Sequence, residues 1–200
     1  MTRTTLEASF LLGHKLVTAE RLIQWGARPP VVSRLCQLTP KQSVRLFKWV
    51  SGCSPKQGML PYDDNWIVRS ATNNIHASLF LGIIQDLKHL LSISVISADQ
   101  FLVAYALYAS LMAKNKPELR QAAASSGHSP ILDINRAWYL IGQFAAGELI
   151  FKHCDTCRAR YLGLHQRHIS FSQCPICEVW TDRSGRRRWT SLKSKHKRNA

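Results

Sequence analysis

"CDTCRARYLGLHQRHISFSQCPIC", residues 154–177, holds four of the chain's six cysteines as two CxxC pairs with sixteen residues between them. A disulfide staple, a redox pair and a metal site would each use such pairs differently. The apolar run near the N-terminus, Phe10 to Leu12, is too short for the core of a secretion signal. The longest one, Phe101 to Ala113, falls short of the roughly 20 residues that span a bilayer. The expected location is therefore the cytoplasm, where disulfides do not persist. A thioredoxin-like site needs one pair beside a strand-to-helix step, whereas here two pairs face each other. C-x2-C-x16-C-x2-C is the spacing of a four-thiolate zinc site, and an oxidised or redox-active pair is the remaining alternative. Each CxxC folds into a tight turn that offers two sulfurs from one side. The residues between can return as a short hairpin, its strands supplied by the alternating "YLGLHQRHISF", to complete a tetrahedron.

The spacing thus assigns one structural Zn2+ per chain to Cys154, Cys157, Cys174 and Cys177. Four thiolates close the coordination shell and leave no position for water or substrate, which argues against a catalytic metal. Cys36, in an apolar-periodic stretch, reads as a core thiol, and Cys53 as a turn residue. His153, His165 and His168 are expected to face solvent or a polyanion. The chain contains no GxxxxGK[ST], HExxH or GxSxG, and "CPIC" is not the PCxxC of nucleobase deaminases. It reads as a protein without enzymatic activity and without a small-molecule substrate.

Charge points the same way. Residues 1–150 carry 15 Lys/Arg against 9 Asp/Glu, whereas residues 151–200 carry 12 against 3. So steep an asymmetry implies a polyanionic partner, nucleic acid or an anionic surface. The tail holds most of it: residues 183–200 contain eight Lys/Arg, among them Arg183, Arg186, Arg187 and Arg188. It cannot bury a core and is expected to be disordered when free, acting as a phosphate-binding arm. A purely solubilising tail would read similarly. Trp180 and Trp189 punctuate it, to stack on bases or pack on the zinc knuckles.

Upstream, the expected organisation is a helical body over 1–150, a zinc module over 151–182 and the basic tail over 183–200. "TAERLIQWGAR" sets Ala19, Leu22, Ile23 and Gly26 on one face, with Thr18 as the cap. "RPPVVSRLCQ" starts a short helix on proline. In "LTPKQSVRLFKWVSG", Thr39 caps, Pro40 opens, Ser43, Phe47 and Val50 form one face, and Gly52 ends the helix. Its other face carries Lys41, Arg45 and Lys48, candidate DNA contacts. Helix, short helix, tight turn "QLT" and basic helix, over 18–52, is the order of a helix-turn-helix. Three ordinary helices with a solvated basic face fit nearly as well. Two apolar helices follow a turn-rich connector over 52–66, the second capped by Asp99, and a last helical stretch runs to Phe151. The helix over 101–113 is apolar almost all round, and so either lies at a core's centre or is covered by another subunit. Phe101, Leu102, Tyr105 and Leu111 are its candidate interface residues.

Together "AERLIQWGARPPVVSRLCQLTPKQSVRLFKWVSG", "SPKQGMLPYDDNWIVRSATNNIHASLF", "NRAWYLIGQFAAGELI" and the paired "CDTC" and "CPIC" resemble the FlhC family. "GMLPYDDNW" beside "NNIHASLF" is the most specific part of the likeness. The resemblance implies a mainly helical protein that binds zinc through the four cysteines and assembles with FlhD into a hetero-oligomer. That assembly would activate flagellar operons at promoter DNA together with RNA polymerase. The chain departs from the family in its first fifteen residues and its very basic tail. An RNA-binding or ribosome-associated structural zinc protein is the competing reading, disfavoured by the large apolar body.

Overall fold

The computed structural model describes residues 3–60, 63, 65–115, 131–165 and 174–180. Helices dominate it: α1 (Arg3–Gln24), α2 (Pro29–Cys36), α3 (Pro40–Ser51), α4 (Trp66–Arg69), α5 (Ala71–Leu90), α6 (Ala98–Asn115) and α7 (Ile134–Ala145). Strands β1 (Leu149–His153) and β2 (Arg160–Leu164) form an antiparallel ribbon, and α8 (Pro175–Trp180) follows. Two compact units result, Met1–Tyr62 with Phe80–Tyr139, and Asp63–Leu79 with Leu140–Ala200. The basic tail with Arg183, Arg186, Arg187, Arg188 and Trp189, and also His168, lies outside the described residues.

In the first unit, Ala19, Leu22, Ile23, Val31, Val32, Cys36 and Leu38 are buried where α1, α2 and α3 meet. The turn between α2 and α3 works because Gln37 accepts a left-handed conformation, φ 55°. Thr39 then builds a full capping box with Gln42 ahead of Pro40, and Gly52 closes α3 at φ 67°, as the sequence indicates. Two caps differ from expectation. Because α1 starts at Arg3, Thr18 is mid-helix and buried, and its hydroxyl donates to Asp99 Oδ1 at 2.7 Å. Asp99 is thereby a helix-to-helix acceptor, and Ser97 caps α6, its Oγ accepting from Gln100 N while Gln100 Oε1 accepts from Ser97 N.

Aromatic residues fill the rest of that unit. Phe80 meets Phe101, Tyr105 and Tyr108 edge-on with ring centres 6.0–6.2 Å apart, and Trp25 meets Tyr105 at 5.6 Å. Tyr105 also donates its hydroxyl to the Leu132 carbonyl. Phe101, Leu102 and Tyr105 therefore belong to the chain's own core, not to a subunit interface, because α5 supplies the apolar surface they need. What α6 leaves outside is Val103 and Leu107, one turn apart. Apolar side chains of α1, among them Phe10, Leu11 and Val17, are exposed as well.

The second unit is organised around the ribbon. Residues 149–151 are strand and not helix, because Gly147 at φ 76° ends α7 and Leu149 pairs with Leu164. Asn74, fully buried on α5, donates Nδ2–H to the Leu162 carbonyl at 2.8 Å and accepts from Leu162 N with Oδ1. Ser78, one turn on, also accepts from Leu162 N and donates to Asn74 Oδ1. The middle of β2 is thus held by side chains as another strand would hold it. Phe144 packs edge-on against Phe151, and the Arg160 guanidinium lies 4.5 Å above the Phe151 ring.

Candidate metal centre

Two local devices bring the sulfurs together. The first CxxC is the turn of the ribbon itself: β1 ends at His153, β2 begins at Arg160, and Cys154 N bonds Ala159 O across the loop. Arg158 takes a left-handed conformation, φ 63°, as the chain reverses, and Cys157 N–H points at Cys154 Sγ at 3.5 Å. The second CxxC opens α8, with Cys174 just before Pro175 and Cys177 N–H donating to Cys174 Sγ at 3.2 Å. The hairpin expected between the pairs is displaced by one strand. β2 lies between them, but its partner β1 precedes the first pair, because the knuckle already supplies the reversal.

Across the two devices, Cys154 Sγ lies 3.9 Å from Cys177 Sγ and Cys157 Sγ 3.5 Å from Cys174 Sγ. All four sulfurs fall within 4.8 Å of one another. A tetrahedron with metal–sulfur bonds of about 2.3 Å sets its sulfurs about 3.8 Å apart, so the cluster has the size of one thiolate-bound ion. Cys174 and Cys177 are buried, Cys154 and Cys157 half-buried. The backbone N–H of Cys157 holds the Cys154 thiol down at about 6. Burial pushes Cys174 and Cys177 above the ordinary thiol range. The Cys154 thiolate forms readily, whereas those of Cys174 and Cys177 are opposed until a cation compensates them. The four can hold a metal ion, and with four sulfurs as donors no open position is left for substrate.

Cys36 is buried and Cys53 exposed, and neither joins the cluster. His153 and His165 are exposed, as expected, and do not join it. Lys41, Arg45 and Lys48 lie together on α3 in the first unit, all three exposed. The sequence reading passed over Trp49, which is 75% exposed one turn beyond Arg45. It also passed over Asn74 and Ser78. Their signal was a polar pair four residues apart in the otherwise apolar "NNIHASLF". Among the described residues, no helix is long and apolar enough to cross a membrane.

The family model described as "Flagellar transcriptional activator (FlhC)" matches residues 10–191. Two similar proteins are named flagellar transcriptional regulator FlhC. That of Gallionella capsiferriformans is 33% identical over 80% of each chain, and that of Enterobacter cloacae 31% identical over 78% of this chain and 75% of its own. A third, from Yersinia enterocolitica, is 30% identical over 80% of this chain and 76% of its own. A match that reaches from Phe10 on α1 to beyond the second CxxC takes in both units, and the chain belongs to the FlhC family of flagellar transcriptional regulators.

Proposed function

We propose that this chain is the DNA-binding, zinc-bearing subunit of a flagellar transcription activator that works as a hetero-oligomer with FlhD, at promoter DNA and together with RNA polymerase. The observation that carries the DNA reading is the α2–turn–α3 unit, whose second helix turns Lys41, Arg45 and Lys48 to solvent. A capped helix with a row of free cations suits a DNA groove, its first turns toward base edges and the rest along phosphates. Zinc suits the four sulfurs by donor type and spacing, and its task is to fix the ribbon and α8, with no role in chemistry. A partner subunit suits the apolar side chains that α1 and α6 leave exposed, since a lone soluble chain rarely carries an apolar patch beyond a few hundred Å².

The test is a titration of the co-expressed complex on promoter duplex, random duplex and single-stranded RNA at several salt concentrations. Each lost phosphate contact flattens the dependence of log K on log salt by about 0.9. Arg45→Ala is expected to lower the ratio of promoter to random binding, and Lys48→Ala to flatten the salt slope. Equal affinity for promoter and random duplex in the unmodified complex would remove the reading, and preference for the RNA would favour the competing one.

A further inference from the structure

A second feature of the first unit adjoins the cationic face of α3. Between α2, α3 and the segment after α3 lies a groove of about 440 Å³. Its apolar lining is Pro29, Pro30, Pro40, Val44 and Pro55. Prolines make a stiff wall, and four of them here keep a concave surface open without needing an occupant to shape it. A cavity of this size holds a few side chains or a small molecule.

Charge selects the occupant. Three cations line the groove, Arg28, Arg34 and Lys56, and none of the lining residues is acidic. Arg28 is half-buried and spends its terminal nitrogens on three carbonyls, those of Lys56, Gly58 and Met59, at 2.6–2.8 Å. Those acceptors are neutral, and among the described residues no carboxylate pairs with the guanidinium and its buried Nε–H has no partner. Arg34 and Lys56 are exposed at the rim. A site with an apolar floor and an unopposed positive wall is complementary to an anion carried on an apolar body.

We infer that this groove is a docking site for a short acidic segment of a partner protein, with an apolar side chain against the prolines and a carboxylate toward Arg28, Arg34 and Lys56. A phosphodiester backbone would satisfy the cations but leave the proline floor unused, and so fits less of the site. The groove borders the face of α3 read as the DNA contact, since Val44 lies among Lys41, Arg45 and Lys48 on that helix, so peptide and duplex binding are measured side by side on the same preparation.

The probe is a fluorescein-labelled peptide, Asp-Glu-Leu-Asp-Glu-Phe-Asp-Glu, and the control is the same peptide with every acid replaced by lysine. Both are titrated by anisotropy into the full chain, as its co-expressed complex. The acidic peptide is expected to bind and the basic one not. Arg34→Glu and Lys56→Glu, both surface changes, should each weaken the acidic peptide by about tenfold, the loss of one charge-assisted contact. Val44→Trp fills the groove without touching a charge and should abolish binding. Absence of acidic-peptide binding overturns the inference. So does full binding to Val44→Trp, which would mean adsorption to a basic surface. Displacement of the peptide by inorganic phosphate, or a parallel loss of random-duplex binding in both charge variants, overturns it as well, by assigning the groove to phosphate. Absence of promoter-duplex binding by the unmodified complex, with acidic-peptide binding intact, would instead sink only the DNA reading.

Discussion

Replacing Asn74 and Ser78 measures how β2 is held to α5. In Ser78→Ala the Leu162 N–H loses its shorter acceptor, 2.9 Å away, but keeps Asn74 Oδ1 at 3.3 Å. The Ser78 hydroxyl also stops donating to Asn74 Oδ1, so the loss is about 1–2 kcal/mol, that of one to two ordinary net hydrogen bonds. Asn74→Ala does more. It strips the Leu162 carbonyl of its side-chain donor at a fully buried position and deprives Ser78 of an acceptor. An unsatisfied buried carbonyl costs about 1–3 kcal/mol, and with the small cavity the total comes to about 2–4 kcal/mol. In the double variant the Leu162 N–H has neither acceptor, which adds about 1–3 kcal/mol, while the Ser78–Asn74 bond that each single loses is lost only once and offsets about 1 kcal/mol. Urea unfolding of all four proteins gives the cycle, and hydrogen exchange at the Leu162 amide reports the site itself. Equal protection of the Leu162 amide in the double variant and in the singles, or a larger loss from Ser78→Ala than from Asn74→Ala, would refute the reasoning.

Other outcomes follow from particular side chains. Cys154→Ser and Cys177→Ser should each lower bound metal, measured by elemental analysis against protein concentration, while circular dichroism retains most of the helical signal of α1–α7. In the native protein a thiol reagent should label Cys53 and not Cys36, which becomes reactive only on unfolding. Burial, with the Asp99 carboxylate adding to it, raises the Cys36 thiol from 9.0 to about 11. Between those values the unfolded chain has lost a proton that the folded chain keeps, so stability falls as pH rises through that window. Cys36→Ala should shallow the fall in urea midpoint over it. Arg28→Met releases three carbonyls of the segment after α3, and trypsin should then cut after Lys56 markedly faster, read by mass spectrometry of timed digests.

Where a structural reason lies within a few residues, the sequence is readable. Thr39, Pro40 and Gly52 bound α3 because cap, first-turn proline and left-handed glycine are all local. The cysteine spacing reports the sulfur cluster for the same reason, since each half is one turn long. Thr18 misleads because the hydrophobic period begins only at Ala19: the earlier part of α1 has no core face to generate one, and a hydroxyl before a periodic stretch looks like a cap. Ser97-x-x-Gln100 is as legible a capping box as the one on α3, yet Asp99 draws the eye as a better-known cap. Residues 149–151 carry on the apolar run of α7, and only Ala146, Gly147 and Glu148 separate them from it. The Asn74–Leu162 link spans 88 positions and has no local trace. Nor does the clasp of Arg28 on residues 56–59, since the acceptors are backbone carbonyls that any sequence possesses.

Building the first knuckle as the hairpin's own turn has a consequence for how freely the chain can change length. Each pair of sulfurs is gathered within four residues, the first by the ribbon's own turn and the second by the opening of α8. One extra residue inside either CxxC would break the N–H···S contact that gathers its half-site. In the first knuckle it would also break the bond from Cys154 N–H to the Ala159 carbonyl, and with it the pairing of β1 and β2 that the turn sets. Chain length is thus fixed at two places of four residues each.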